Sequence, residues 1–317
     1  MKHTGMTMFG ALIVAVFALA YAAAGAVDWP RKTVEIIVPA GAGGDTDFNA
    51  RLFAQYLGKE LGGNFVVSNV SGNGGATGTR KVRDARPDGN TVLFYHSAFV
   101  VNKLSGASNY GFEAFDLACI GAMSMGNCIT VRSDTGFKKI ADLIDYSQKH
   151  PGELTIAAQT GATTHASALL LKSAGADLTI VDSGSASDRL AALLGGHVDV
   201  ILNAYGNIKD YIADGSLTPL GLDGLTDMTE QNIVSVVNQG YDIGFPFYYF
   251  FAFPKGTNPE IIEKFSGAVE NVVKNNKEYA DKIHKAYFQK PTFYNKAEGR
   301  EKFAEVEEKL STVDFSK

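Results

Sequence analysis

The stretch Val38-Pro39-Ala40-Gly41-Ala42-Gly43-Gly44-Asp45-Thr46-Asp47 lies between an apolar run, 34–38, and a segment whose apolar residues have helical spacing. The β-branched run is typical of a strand covered on both faces, and the glycines form the turn into the helix. Such a turn exposes backbone N–H groups at the positive end of the helix dipole. The stretch therefore predicts a strand–turn–helix unit of an α/β fold that can bind an anion at its turn.

The glycine-rich turn does not match the common nucleotide-binding motifs. The fingerprint G-x-G-x-x-G requires glycine at position 46, where the chain has Thr46. A second run, Gly72-Asn73-Gly74-Gly75-Ala76-Thr77, fails at the same place, and neither run ends in the Gly-Lys-Ser/Thr of a P-loop. We therefore expect no nucleotide and no other cofactor.

Strand-like and helix-like segments alternate along the rest of the chain. The predicted strands are 34–38, 65–67, 91–95, 154–158, 178–182, 198–203, 218–222 and 247–253. The predicted helices follow the first glycine turn and cover 81–85, 141–149, 164–174, 186–194, 205–213 and a long segment that begins at Pro259. This alternation predicts an α/β fold with mostly parallel sheets flanked by helices.

The N-terminus has the features of an export signal. Lys2 precedes an apolar run, 9–20, and Ala24-Gly25-Ala26 provides a small-x-small cleavage pattern, which predicts removal of 1–26. A retained N-terminal anchor is the alternative, and the exact cleavage site is left open. The rest of the 317-residue chain exceeds a typical single domain, so two lobes are expected.

Charge and cysteine content restrict the possible partners. The chain has a formal net charge of −5 and no basic block, so it is a poor candidate for binding nucleic acid or anionic lipid. Its two cysteines, Cys119 and Cys128, are too few for a disulfide framework. Whether these two form one disulfide stays open at this point.

A series of motifs, taken together, resembles one known family. In chain order they are Trp29-Pro30, IIVPAGAGGDTD at 36–47, SGNGGATG at 71–78, ARPDG at 85–89, HPG at 150–152, LGGHVDV at 194–200 and FPKGT at 253–257. Their order and spacing resemble the substrate-binding proteins of tripartite tricarboxylate transporters, also called the Bug or TctC family. The resemblance covers essentially the whole chain after the export signal.

The resemblance implies a type II-like periplasmic binding protein in which two α/β lobes close on a ligand like a clamshell. Crossover strands are expected near 128–131 and 247–253. One lobe is then 27–128 plus 249–317, and the other is 129–248. The implied function is that of a monomeric periplasmic receptor, which captures a small organic carboxylate and delivers it to the membrane carrier subunits of such a transporter.

The resemblance also implies a ligand site between two loops, one from each lobe, that hold a carboxylate largely through backbone amides. On this sequence the loop residues are Ala42, Gly43, Gly44, Thr46, Asp47, Thr160, Gly161, Ala162, Thr163, Thr164 and His165. Ser97 follows the predicted strand 91–95 and Asn203 ends the predicted strand 198–203, at the carboxyl ends where open α/β sheets place ligands. Ser185 belongs to a stretch, 183–187, that departs from the family pattern near the expected pocket.

Some residues leave alternatives open. Asp47 also fits a helix cap, and His165 fits a purely structural role equally well. Asp45 stands where the family often has a small residue, and its carboxylate would repel an anionic ligand unless it caps the helix, which is the expectation here. Ala162 stands where the family often has serine. The identity of the ligand therefore cannot be transferred from a relative.

The sequence contains no catalytic signature. There is no G-x-S-x-G elbow and no H-E-x-x-H spacing, so we expect neither an enzyme nor a metal site. The alternatives are a receptor of the same fold for an uncharged or amide ligand, a sensory receptor, or a secreted α/β hydrolase.

Overall fold

Two mixed β-sheets form the framework of the protein in the computed structural model, which describes residues 27–315. The predicted export signal lies outside the described residues. The strands are β1 Val34–Val38, β2 Phe65–Asn69, β3 Thr91–His96, β4 Phe115–Ser124, β5 Cys128–Arg132, β6 Thr155–Ala158, β7 Thr179–Asp182, β8 Val200–Asn203, β9 Leu217–Leu222, β10 Phe247–Pro254 and β11 Lys290–Tyr294.

The α-helices fill most of the connections between these strands. They are α1 Asp45–Leu61, α2 Ala76–Arg83, α3 Ala98–Leu104, α4 Ile140–Lys149, α5 Thr163–Ser173, α6 Ala186–Leu194, α7 Tyr205–Ala213, α8 Pro259–Asn275, α9 Lys277–Tyr287 and α10 Lys296–Leu310. Among residues 27–315, none of the helices combines the length and apolar character needed to cross a membrane.

The strand order divides the fold into two lobes. The first lobe has a six-stranded sheet in the order β11-β4-β10-β3-β1-β2, and the second has a five-stranded sheet in the order β7-β6-β8-β5-β9. The predicted two-lobed α/β class is confirmed. The sheets are mixed rather than mostly parallel, since β5, β10 and β11 run antiparallel to their neighbours. The sequence could not show these strand directions, because a buried strand has the same continuous apolar pattern whether it is parallel or antiparallel to its neighbours.

The aromatic strand β10 forms the centre of the first lobe. It pairs with β3 on one side and β4 on the other, and all eight of its residues are buried. Phe251 packs edge-on against Phe53 of α1 with ring centroids 5.0 Å apart, and against Phe265 of α8 at the same distance. Large aromatic side chains bury much apolar area and favour such edge contacts. Helix α1 is thereby fixed, with its N-terminus directed at the space between the lobes.

The chain passes between the lobes twice, and the two connections cross backbone against backbone. A Cβ atom on Gly224 would lie 2.0 Å from the carbonyl oxygen of Met125, and one on Gly126 would lie 2.5 Å from the Gly224 nitrogen. Beside this crossing, Asp223 accepts hydrogen bonds from the Asn127 backbone nitrogen at 2.5 Å and from Asn127 Nδ2 at 3.0 Å. The crossing is therefore packed as tightly as a protein core.

The two cysteines are both buried and unbonded. Cys119 lies in β4 of the first lobe, and Cys128 begins β5 of the second. Burial raises the pKa of the Cys119 thiol to about 12 and also raises the pKa of Cys128. Both residues pack as small apolar side chains.

Candidate functional site

A cleft of about 320 Å³ lies between the two lobes and is lined by residues of both. The first lobe contributes the turn before α1, part of the turn before α2, and the end of β3. The second lobe contributes the turns before α5 and α6, and Asn127 of the crossing also reaches the cleft. This volume is at the small end of the range for ligand pockets, so it suits a small molecule.

Three helices direct their N-termini into the cleft: α1, α5 and α6. Their N-cap residues are Gly44, Ala162 and Ser185. In the second lobe, the backbone N–H groups of Thr163, Thr164, Ala186 and Ser187 have no hydrogen-bond partner within residues 27–315. Free N–H groups at a helix N-terminus are donors placed in a positive field, which favours an anionic ligand.

Arg189 of α6 adds a buried positive charge to the same wall. It is 6% exposed and lines the cleft. Its Nε donates to the Leu202 carbonyl at 3.2 Å and to Asn203 Oδ1 at 3.1 Å, while Nη1 donates to the Gly184 carbonyl at 2.7 Å. No partner for Nη2 occurs within the described part of the chain, so this nitrogen can donate to a ligand. Burial lowers the pKa of Arg189 to about 10, which leaves it charged at neutral pH.

Asp45 lies on the opposite wall, at the first position of α1. The N-cap is Gly44 and no side chain caps this helix, so the expectation that Asp45 or Asp47 would do so was wrong. Asp45 Oδ1 accepts the Thr46 N–H at 2.9 Å, and Oδ2 accepts a short hydrogen bond from the Tyr249 hydroxyl. Burial raises the pKa of the Asp45 carboxyl, and these hydrogen bonds partly offset that effect.

A chain of hydrogen bonds supports Asp45 from behind. Gln289 Nε2 donates to the Tyr249 hydroxyl at 2.9 Å, and Asn49 Nδ2 donates to Gln289 Oε1 at 2.7 Å. The Tyr279 hydroxyl donates to Asn49 Oδ1 at 3.1 Å. These buried groups are partnered one after another, so the position of the Asp45 carboxylate is set by side chains from several elements of the first lobe.

His96, at the end of β3, contributes a neutral imidazole to the first-lobe wall. Its Nδ1 accepts the Ala98 N–H at 3.2 Å, which assigns the proton to Nε2. The ring packs against Phe247, with centroids 4.6 Å apart, and burial lowers the pKa of His96 to about 3. Nε2 has no partner within residues 27–315 and can act as a neutral donor toward the cleft.

The structure brings half of the sequence-predicted site residues to the cleft. The lining includes Ala42, Gly44, Thr46, Ala162, Thr163, Thr164 and Ser185. The others lie behind or beside it: Gly43, Asp47, Ser97, Thr160, Gly161, His165 and Asn203. For all of these residues, contact with a ligand stays a prediction.

The residues beside the cleft have structural partners in the protein. Asp47 Oδ2 accepts from the Gly43 nitrogen at 2.9 Å and from Arg51 Nε at 3.0 Å, which fixes the turn before α1. Ser97 Oγ donates to the Pro246 carbonyl at 3.0 Å and accepts the Tyr248 N–H at 3.0 Å, which ties β3 to β10.

In the second lobe, Asn203 positions the cleft wall from behind. Its Oδ1 accepts from Arg189, and its Nδ2 donates to the Ala186 carbonyl at 2.9 Å. His165 Nδ1 accepts a long hydrogen bond, 3.4 Å, from the Gly161 nitrogen, and the Thr160 nitrogen donates to Asp182 Oδ2 at 3.4 Å. These bonds shape the turn before α5.

The lobes also touch outside the cleft lining. Asn102 Nδ2 of α3 donates to the carbonyls of Gly74 in the first lobe, at 2.8 Å, and Gly161 in the second, at 2.7 Å. At a second place, a Cβ atom on Gly206 of α7 would lie 2.2 Å from the Ala286 carbonyl oxygen of α9. Close contacts between the lobes thus occur at two further places.

Sequence reasoning did not select Arg189 or His96, and it misassigned Asp45. Arg189 follows the helix-start pattern Ser185-x-x-Asp188 by one residue, which placed it near a predicted helix N-terminus. That position was the one signal in the sequence that Arg189 could reach the site. The direction of the Arg189 side chain depends on carbonyls of β8 and of the turn before α6, which become its neighbours only in the folded lobe.

Comparison with known proteins identifies similar sequences and folds. Residues 49–311 match the family described as Tripartite tricarboxylate transporter family receptor. A UPF0065 protein of Agrobacterium vitis is 30% identical over 278 residues, covering 84% of this chain and 78% of that protein. A solved structure of the periplasmic binding protein BugD is 23% identical, covers 90% of this chain and 97% of that chain, and has a TM-score of 0.78. An R. palustris protein solved with adipate has the same identity and TM-score over 90% of this chain and 99% of that chain.

Proposed function

This chain belongs to the tripartite tricarboxylate transporter receptor family, and we propose on that premise that it captures a small organic carboxylate in the cleft between its lobes. It then delivers this ligand to the membrane carrier subunits of a tripartite tricarboxylate-type transporter. It acts in the periplasm as a monomer and catalyses no reaction. The adipate held by the R. palustris relative supports a carboxylate as the ligand class.

The observation that carries this proposal is the anion-attracting wall of the second lobe. Free N–H groups of α5 and α6 and the unpartnered Nη2 of Arg189 meet in one small cleft. Charge-assisted hydrogen bonds from a guanidinium and from backbone N–H groups are the donors that carboxylates prefer. Among residues 27–315, no group of His, Cys, Asp and Glu side chains is placed so that it could hold a metal ion.

We also propose the lobe limits 27–128 plus 249–317 for the first lobe and 129–248 for the second. The strands support these limits to within two residues, because β5 begins at Cys128 and β10 begins at Phe247. Under these limits the turns before α1 and α5 belong to different lobes. A ligand between them would therefore stabilise the closed arrangement, and closure would in turn strengthen binding.

The test is a binding screen with mono-, di- and tricarboxylic acids and their amides, first by thermal shift and then by calorimetry. We expect at least one acid to raise the melting temperature, since binding to the folded state stabilises it by mass action, and its amide to have no effect. Arg189→Gln should weaken binding of that acid about 100-fold, because a charge-assisted hydrogen bond contributes about 2–3 kcal/mol.

The matched control is Arg132→Gln in the same lobe. Arg132 Nη1 donates to the carbonyls of Leu193 and Val198, both at 3.4 Å, and does not line the cleft. This variant should keep wild-type affinity. Binding of amides but not acids, or unchanged acid affinity in folded Arg189→Gln, would contradict the proposed function.

A further inference from the structure

We propose that the ligand carries a positively charged amine as well as its carboxylate, with Asp45 facing the amine and Arg189 facing the carboxylate. This inference rests on the proposed function, because it specifies the ligand of the same cleft. The receptor then selects amino-acid-like zwitterions over plain carboxylic acids of the same size.

The charged groups of the cleft are few and lie on opposite walls. Within residues 27–315, the charged side chains that line it are Asp45 in the first lobe and Asp188 and Arg189 in the second, and His96 is held neutral by burial. Asp188 is exposed, and its Oδ2 accepts from both the nitrogen and the hydroxyl of Ser185, at 2.9 and 2.7 Å. The remaining pair, Asp45 and Arg189, gives the cleft one negative and one positive wall.

Asp45 and Arg189 are not paired with each other. No ion pair within 4.0 Å joins them among the described residues, yet the Asp45 charge acts on the guanidinium and partly offsets the effect of burial on its pKa. Both residues line the cleft, one from each lobe. A zwitterion bound in the cleft can present its carboxylate to Arg189 and its amine to Asp45.

The Asp45 carboxylate retains acceptor capacity for such an amine. A carboxylate offers about four lone-pair sites. Within residues 27–315, Oδ1 receives the Thr46 N–H and a weak contact from the Thr46 hydroxyl at 3.4 Å, and Oδ2 receives the Tyr249 hydroxyl, while the N–H of Asp45 itself contributes a weaker interaction. With two full hydrogen bonds from other residues, the carboxylate can still accept from an amine, and the buried chain of hydrogen bonds behind Tyr249 holds it in place.

A ligand with carboxylates alone fits this wall poorly. Its second anionic group would approach Asp45 in a partly desolvated cleft, where like charges disfavour each other. An amine instead favours the ionised form of Asp45, which burial alone disfavours. The ring of Phe247 also lines the cleft near His96, and aromatic faces attract cations.

The test compares three matched sets of ligands by calorimetry: aspartate, malate and succinate; glutamate, 2-hydroxyglutarate and glutarate; alanine, lactate and propionate. Within each set only the amine is replaced, by a hydroxyl or by hydrogen. In the set that fits best, we expect the amino acid to bind about 10- to 100-fold tighter than its deaminated counterpart, as for one hydrogen bond between charged groups.

Asp45→Asn should reduce this ratio to near one, chiefly by weakening the amino acid, and Asp45→Gly should do the same if the first variant folds poorly. The control is Asp84→Asn, which removes an exposed carboxylate of the same lobe that pairs with Arg83 outside the cleft lining and should keep the wild-type ratio. Equal binding of amino and deaminated acids, or a ratio that persists in both Asp45 variants, overturns this inference and leaves the carboxylate receptor standing. If no acid of any set binds, the proposed function itself fails.

Discussion

His96 shows how burial changes the chemistry of a single residue on the cleft wall. An exposed histidine titrates near pH 6.5, whereas burial lowers the pKa of His96 to about 3. Between these values the unfolded chain binds a proton that the folded protein does not, so this group's effect on stability becomes more unfavourable as the pH falls. Its neutral form persists at physiological pH, so the cleft wall has here an N–H donor without a charge.

We therefore expect wild type to lose about 2 kcal/mol more free energy of unfolding than His96→Gln between pH 7 and pH 5. Urea unfolding at the two pH values measures this difference. Substitution of the exposed His197 by Gln controls for the exchange of side chains itself. Parallel pH dependences for wild type and His96→Gln would mean that the imidazole is not desolvated as described.

The sequence predicted the cleft lining best where it consists of local backbone. The glycine turn before α1 could be recognised from its local pattern ahead of a helix, whereas the turn before α5 followed from the family resemblance. Arg189 and Asp45 were missed or misassigned because their roles depend on distant partners. Arg189 is directed by Leu202 and Gly184, and Asp45 is held by Tyr249, far along the chain.

At the level of elements, the glycine contact between the two connections allows a stability prediction. Gly224→Ala places a Cβ atom 2.0 Å from a backbone carbonyl oxygen, which cannot move without displacing the other connection. We expect a loss of at least about 2 kcal/mol in the free energy of urea unfolding. Gly267→Ala is the matched control, because its Cβ meets no atom within 4 Å and α8 should gain up to about 1 kcal/mol. Similar stabilities for the two variants would refute the tight crossing.

Element boundaries were predictable where patterns are local and not where packing overrides them. The limits of β1 and the start of α8 at Pro259 were predicted and are confirmed. The helix predicted at 81–85 begins earlier, at Ala76. The prediction started it too late because the glycine-rich stretch 72–78 has the composition of a turn. Gly78 lies inside this helix. A Cβ atom there would lie 2.5 Å from the Val70 carbonyl oxygen, so only glycine lets α2 approach the end of β2 and the first glycine turn this closely.

At the scale of the whole molecule, the contact between α7 and α9 predicts how the arrangement of the two lobes changes when a larger side chain is placed between them. Gly206→Ala adds a methyl group that would lie 2.2 Å from the Ala286 carbonyl oxygen, although alanine favours the helix itself. We expect a larger radius of gyration in solution scattering and about 10-fold weaker ligand binding, because the closed arrangement is penalised by about 1–2 kcal/mol. Gly267→Ala again serves as control. Unchanged compactness and affinity would show that this contact does not limit closure.

The placement of the two thiols has a practical consequence. Each sheet carries one buried, unbonded cysteine, Cys119 in the first lobe and Cys128 in the second. An alkylating reagent reaches such a thiol only when the surrounding structure opens, and it reacts with the thiolate that burial suppresses. Alkylation rates read peptide by peptide in a mass spectrometer therefore report the opening of each lobe separately, and the native chain carries its own pair of probes.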